Sequence, residues 1–250
     1  MGSLIRFTST KLEAKGKKGL LTADENGYYE IVVGGLNTFN SGGEYYTLEG
    51  AKELFESSST LMRRIKSGNL RGELDHPAML PGQTMRDYIS RLLRIDRDRE
   101  VCHISEIWLD EEYGKKYPEC NNPNLVAIMA KVKPSGPKGF MLEQSLNNPK
   151  ENTCFSIRAL YYEVMYRGRV NRILNNIITW DLVNEPGIAG ANKYDSPALE
   201  DINIMVTESM VDDLLAAKMG IATEDSKEIL SDVKRQMRNE RPKNKLYDWR

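Results

Sequence analysis

The stretch from Thr153 to Val183 constrains the fold most. It is rich in apolar, β-branched and aromatic residues and is punctuated by Arg167-Gly168-Arg169. It predicts a strand over 153–166, a hairpin turn at Arg167-Gly168-Arg169, a return strand containing Ile173 and Leu174, and a last strand over Ile177–Val183. In extended backbone successive side chains alternate, so Cys154, Ser156 and Arg158 share one face while Phe155 and Ile157 pack on the other.

Upstream, strand-like and helix-like segments follow one another. Tyr28–Val33 reads as a strand running into a turn at Gly34-Gly35, and Tyr45-Tyr46-Thr47 as a short second strand. Thr47 is placed to cap a helix with apolar positions Ala51, Leu54, Phe55, Leu61, Met62 and Ile65, ended by Gly68. Residues 83–94 fit a short helix or a loop. Alternation over Cys102–Leu109 predicts a strand with Cys102, Ile104, Glu106 and Trp108 on one face. Leu125–Lys133 predicts another, Pro134–Gly139 a tight turn and Phe140–Leu146 a helix.

The ends have a different texture. Residues 1–20 read as a flexible lead-in, with at most an edge strand over Leu4–Thr8. Beyond Pro186-Gly187 a linker precedes polar helical segments at 208–219 and 224–238, which would pack poorly on a core of their own. The predicted division is a lead-in over 1–20, one folded domain over 21–195, and a helical, basic extension over 196–250.

A chain of 250 residues suffices for one β-rich domain with a sizeable core. The formal net charge of −1 provides no overall basic field for nucleic acid, although residues 234–250 are locally basic. The three cysteines lack metal-ligand spacing, which argues against a disulfide framework or zinc site and for a reducing compartment. No run of about 18 apolar residues offers a membrane span, and the N-terminus lacks a signal-peptide core. The expectation is a cytoplasmic protein with no membrane, metal or cofactor requirement.

The chain has two histidines, His76 and His103. His76 sits in Gly72-Glu73-Leu74-Asp75-His76-Pro77, where the proline keeps it out of the helical region. That is a poor place for a core histidine and a good one for a general base. Ser156 is the candidate nucleophile, since a serine hydroxyl needs a base to take its proton. The base in turn needs a third group, and Asp181 or His103 is available for that role. Asp181 is preferred because a carboxylate is the stronger partner for an imidazole N–H. Asp75 ranks third, being aimed at the opposite face of an extended segment. Arg158, or the amides of the Ser135-Gly136 turn, are candidates for oxyanion or substrate contact. The order His, Ser, Asp, the lack of a Gly-x-Ser-x-Gly elbow and the lack of alternating parallel strands and helices argue against the common hydrolase folds.

Together these motifs resemble those of the prohead proteases of tailed bacteriophages, which share their fold with the herpesvirus assemblins. The match is best with the T4-type proteases of large myoviruses and spans roughly residues 25–190. It rests on the Gly72–Pro77 string, on Ser156 within Phe155-Ser156-Ile157-Arg158, and on Thr179-Trp180-Asp181-Leu182-Val183-Asn184-Glu185-Pro186. The resemblance implies an α+β fold, a mostly antiparallel β-barrel of about seven strands surrounded by helices. It implies a serine endopeptidase inside the viral procapsid, in the host cell cytoplasm, cutting scaffold or core proteins, the major capsid protein precursor and itself.

A zymogen is expected. Removal of the helices beyond about residue 195 is the first choice for activation and loss of the leading 20 residues the second. The herpesvirus relatives dimerise, so a homodimer or higher oligomer is implied by analogy. T4-type proteases cut after glutamate with an aliphatic residue two positions earlier. Ile104-Ser105-Glu106 and Leu109-Asp110-Glu111 fit formally but read as strand. Two rival readings remain, a non-catalytic procapsid core or scaffold component with a protease-like fold and a metal-dependent hydrolase. The second would need both histidines and an acid from distant segments.

Overall fold

The long hairpin lies at the centre of a sheet. The computed structural model describes residues 5–13, 21–40, 43–56, 58–148, 150–166, 168–184, 204–206, 210, 212–213 and 224–239. The strands are β1 (Ile5–Glu13), β2 (Tyr29–Leu36), β3 (Thr38–Phe39), β4 (Tyr45–Tyr46), β5 (Arg71–Glu73), β6 (Glu100–Asp110), β7 (Val126–Pro134), β8 (Cys154–Tyr166), β9 (Arg169–Val183) and β10 (Ile204–Val206). The helices are α1 (Thr60–Lys66), α2 (Met85–Leu92), α3 (Tyr113–Lys116), α4 (Gly139–Asn147) and α5 (Glu224–Asn239).

One sheet has the order β10-β1-β8-β9-β4-β3 and the other β2-β7-β6-β5. Pairing is antiparallel except where β4 meets β9. The α+β class and the antiparallel bias match expectation, but the described ladders draw two sheets and not a closed seven-stranded ring. An isolated parallel bridge between Leu74 and Leu182 joins them at one corner.

Side-chain parity sorts the two faces of β8. Phe155, Ile157, Ala159 and Tyr161 enter the main core with Trp180 and Leu182 of β9, against Ile31, Ile104, Ile128 and Val132 of the other sheet. The alternation of β8 runs unbroken, which leaves Ser156, Arg158, Leu160 and Tyr162 on the outer face. The extra residues sit on β9, opposite Arg158/Ala159 and Leu160/Tyr161. These bulges are why the return strand and the last strand read as two from sequence and are one in the structure.

The outer face is not bare. Leu160, Tyr162 and Ile178 pack with Tyr88, Ile89, Leu92 and Leu93, on or just after α2, and with Ile229, Leu230 and Val233 of α5. The Thr60 hydroxyl donates to the Asp232 carboxylate at 2.6 Å, and Arg63 pairs with Glu228. The second predicted polar helix therefore has no separate core because it borrows this one; most of the segment 208–219 lies outside the described residues.

Several local expectations give way to tertiary context. Gly34 and Gly35 continue β2 through a bulge instead of turning; a Cβ at Gly34 would lie 2.9 Å from an Ile128 methyl, so close sheet packing uses the glycine. The Thr47-capped helix does not form. Gly50 adopts φ +80°, and the helix starts only after Ser59, whose hydroxyl accepts from the Met62 amide. In β6 a bulge between Ile104 and Glu106 reverses the alternation, so Ile107 joins Cys102 and Ile104 inside while Glu106 is exposed. β1 is longer than the predicted edge strand and lies inside its sheet, between β8 and β10.

Candidate active site

Residues 71–77 reach the hairpin because a glycine lets them. At Gly72 a Cβ would lie 2.3 Å from the Trp180 carbonyl oxygen and 2.7 Å from Cys102 Sγ, so a side chain there would wedge β5 away from β9. After β5 the Asp75 amide donates to the Leu182 carbonyl at 2.8 Å, and Asp75 takes φ 57°, a left-handed conformation that aspartate tolerates better than most residues. The chain thus turns over the outer face of β8 and β9 and presents His76. The Tyr88 hydroxyl of α2 donates to the Pro77 carbonyl at 2.9 Å and ties the turn down.

On the hairpin, Ser156 and Asp181 are direct cross-strand partners, which puts their side chains next to each other on one face. The imidazole bridges them. His76 Nε2 lies 2.7 Å from Ser156 Oγ, and Nδ1 lies 2.8 Å from Asp181 Oδ2. An ionised carboxylate only accepts, so Nδ1–H is the donor to Asp181, and Nε2 of the neutral ring accepts from the serine hydroxyl. Ser156 and Asp181 are wholly buried, while the His76 side chain keeps 15% exposure.

Each lone-pair site of Asp181 is filled. Oδ1 accepts from the Glu73 amide at 3.1 Å and from an Arg158 Nη at 2.7 Å; Oδ2 accepts from His76 and from Arg158 Nε at 2.9 Å. Burial pushes this carboxyl up, but the Arg158 guanidinium and the His76 bond outweigh it and hold it down at about 2. Cys102, one strand away, is a neutral thiol: burial pushes it up to about 12.

The residues expected to form one site are therefore only partly brought together. His76, Ser156 and Asp181 form a continuous chain of hydrogen bonds. His103 is elsewhere, with Nδ1 2.9 Å from the Tyr28 hydroxyl and Nε2 donating to the Gly68 carbonyl at 3.0 Å. The Asp75 carboxylate is not the one that meets His76. Arg158 is occupied by Asp181 and by the Leu92 and Arg94 carbonyls, so it is not poised as an oxyanion donor. Gly136 packs against Glu100 at φ +78°, and the Ser135 amide donates to Val101. Among the described residues no three His, Cys, Asp or Glu side chains group as a metal site.

Sequence reading missed Glu73 and Arg91. Glu73 is fully buried, with Arg91 of α2 donating to it at 3.0 Å and the Asp96 amide at 2.8 Å. The available signal was a charged residue inside the His76 motif, between Gly72 and Leu74, at the one strand that leads into the turn.

A hydroxyl relayed through an imidazole to a buried carboxylate, carried on a two-sheet α+β scaffold, is machinery suited to hydrolysis. The chain belongs to the Peptidase S80 family, whose match runs over residues 7–246, and it is accordingly a protease. Among its relatives is the capsid maturation protease of Pseudomonas phage phiKZ, 37% identical over 197 residues, covering 77% of this chain and 70% of that protein. The solved structure of the bacteriophage T4 capsid assembly protease is similar with a TM-score of 0.46 and 14% identity, over 72% of this chain and 98% of that one. The resemblance to phage prohead proteases read from the motifs holds at the level of family. No described helix is long and apolar enough to cross a membrane.

Proposed function

We propose that this protease is a serine endopeptidase that acts within a phage procapsid, in the host cytoplasm, cutting scaffold and capsid-protein precursors and itself. The observation that carries the reading is His76, within 2.7 Å of Ser156 Oγ and 2.8 Å of Asp181 Oδ2. Ser156 Oγ attacks the scissile carbonyl carbon as Nε2 takes the hydroxyl proton. Nε2 then returns the proton to the departing amine, and the C–N bond breaks to leave an acyl-serine. Water, deprotonated by the same nitrogen, releases the acid and restores the serine. Asp181 holds the ring in the tautomer that accepts from serine and stabilises the imidazolium. The substrate class rests on the relationship to the phiKZ capsid maturation protease.

Synthesis as a zymogen is part of this reading, and the burial of Ser156 in this structure supports it. Loss of the segment beyond about residue 195 is the first choice for activation. The second is loss of the leading residues, since β1 pairs with β8 from Arg6 to Glu13. The candidate cleavage strings at Glu106 and Glu111 lie in or against β6, which supports their survival. A homodimer or higher oligomer remains part of the reading, to be tested by light scattering.

The deciding experiment is labelling with a serine-directed fluorophosphonate, alongside co-expression with a scaffold protein. Label and scaffold fragments from the wild type, both lost in Ser156→Ala and His76→Ala, support the reading. Metal-dependent cleavage that survives Ser156→Ala supports a metal hydrolase, and neither label nor fragments supports a non-catalytic core component. Mass spectrometry of mature particles tests the activating cut, and a full-length C-terminus there removes the first choice.

A further inference from the structure

Arg158 and Glu73 come from the same two motifs as Ser156 and His76, and both are buried at 2% and 0% exposure. Neither touches Ser156 in the bonds described above, yet a buried charge is costly unless it is closely paired. The pairing runs in one line. Arg158 grips both oxygens of Asp181 at 2.7 and 2.9 Å. The same guanidinium lies 3.2 Å from Glu73 Oε1, and Glu73 in turn is held by Arg91 of α2 at 3.0 Å. Negative and positive groups alternate from the site to the helix.

We propose that Arg158 and Glu73 are a positioning pair that fixes Asp181 behind His76 and, through their opposite charges, sets the pH range in which the site works. The proposal rests on the triad reading above. Two parallel N–H bonds from a planar guanidinium define the orientation of a carboxylate better than one bond can. The same cation offsets the charge of Asp181 and so weakens the hold of the Asp181–His76 unit on a proton; Glu73 partly cancels that cation and acts the other way.

The surrounding charges do not upset this sign. Cys102 faces Asp181 from β6 as a neutral thiol, and behind it Arg71 and Glu100 pair at 2.5 Å. On the far side of Glu73, Arg99 stands at 4.0 Å, and Arg91 is shared with Asp96 at 3.8 Å. His76 is the remaining partner, already bonded to Asp181.

The test is the second-order rate of fluorophosphonate labelling of the protein recovered from co-expression with a scaffold protein, where the activating cut is expected, followed from about pH 4 to about pH 9. In Arg158→Gln the acid limb of the profile moves up by about one pH unit or more, because either Asp181 or the imidazole then keeps its proton more readily. In Glu73→Gln it moves down by about half a unit. Arg158→Lys keeps the charge but not the fork, so its limb stays near that of the wild type while the plateau falls about tenfold. Opposite shifts in the two Gln variants are the signature, since simple loosening slows both without moving either limb. Plateaus that fall with all limbs unmoved, or limbs that move together, overturn the proposal. If Arg158→Gln does not fold, Glu73→Gln decides alone: a downward shift supports the pair and an unmoved limb overturns it. Labelling that persists in Ser156→Ala refutes the triad reading itself, a failure separate from that of the pair.

Discussion

Asp181→Asn is the sharpest perturbation of this site, because the structure fixes what the amide would meet. Both carboxylate oxygens accept two hydrogen bonds, from the Glu73 amide and an Arg158 Nη on one side and from His76 and Arg158 Nε on the other. An asparagine NH₂ placed at either position faces two donors. Turned toward His76 it forces the ring into the other tautomer, with Nε2–H aimed at the serine hydroxyl, where no lone pair remains to take the proton. Turned toward Glu73 it leaves an oxygen for His76 but opposes the Glu73 amide and the Arg158 guanidinium. Loss of the correct tautomer costs about 10⁴-fold in kcat, equivalent to about 5 kcal/mol of transition-state stabilisation. Arg158 also loses its principal counter-ion in a dry site, which costs on the order of 3 kcal/mol of stability. Single-turnover cleavage of a scaffold protein, with urea unfolding of the same sample, measures both. An Asp181→Asn enzyme within tenfold of wild-type kcat would refute the assigned tautomer and, with it, the role of Asp181.

Three further outcomes follow from the same geometry. Gly72→Ala puts a methyl 2.3 Å from the Trp180 carbonyl, a backbone atom that cannot rotate away; stability falls by about 3 kcal/mol in denaturant titration and cleavage is lost as His76 is displaced. Asp181 is held at about 2, below its ordinary 3.8, so its contribution is fully present above pH 4 and is lost as pH falls from about 4 toward 2. Urea unfolding should therefore show about 2 kcal/mol of acid-labile stability that Asp181→Asn lacks. Leu230→Ala hollows the packing of α5 against α2 and the outer face of β8, destabilising the full chain by about 3 kcal/mol; an unchanged unfolding midpoint would mean that α5 is not docked in solution.

The parts legible in the sequence were those that local rules determine. Period-two alternation placed Phe155 and Ile157 inward and Ser156 and Arg158 outward, and the turn at Gly168 marked the hairpin, although the two bulges on β9 and not the turn alone bring Asp181 opposite Ser156. What failed depended on partners far away in the chain. Gly34 stays in its strand because Ile128 packs on it, and the bulge after Ile104 turns Glu106 out and Ile107 in, two facts that no window around those residues contains. Arg158 was recognised as facing the serine side, but its role turned on Glu73 and on the carbonyls of Leu92 and Arg94, which arrive from segments more than 60 positions away. The separation of the two sheets was hidden for the same reason: strand count is local and ring closure is global.

The direct opposition of Ser156 and Asp181 across one hairpin has a consequence for how such enzymes diverge. Beyond Arg158, which holds Asp181, the two arms from that rung out to the tip at Gly168 carry none of the reacting groups. Relatives are free to lengthen or trim the two arms by matched amounts, or to reshape the loop, without disturbing the rung. The distance in residues from nucleophile to acid is thus a poor fingerprint of kinship, whereas the face each group occupies is not free: a one-residue slip of either arm without a compensating bulge turns a reacting group into the oily interior.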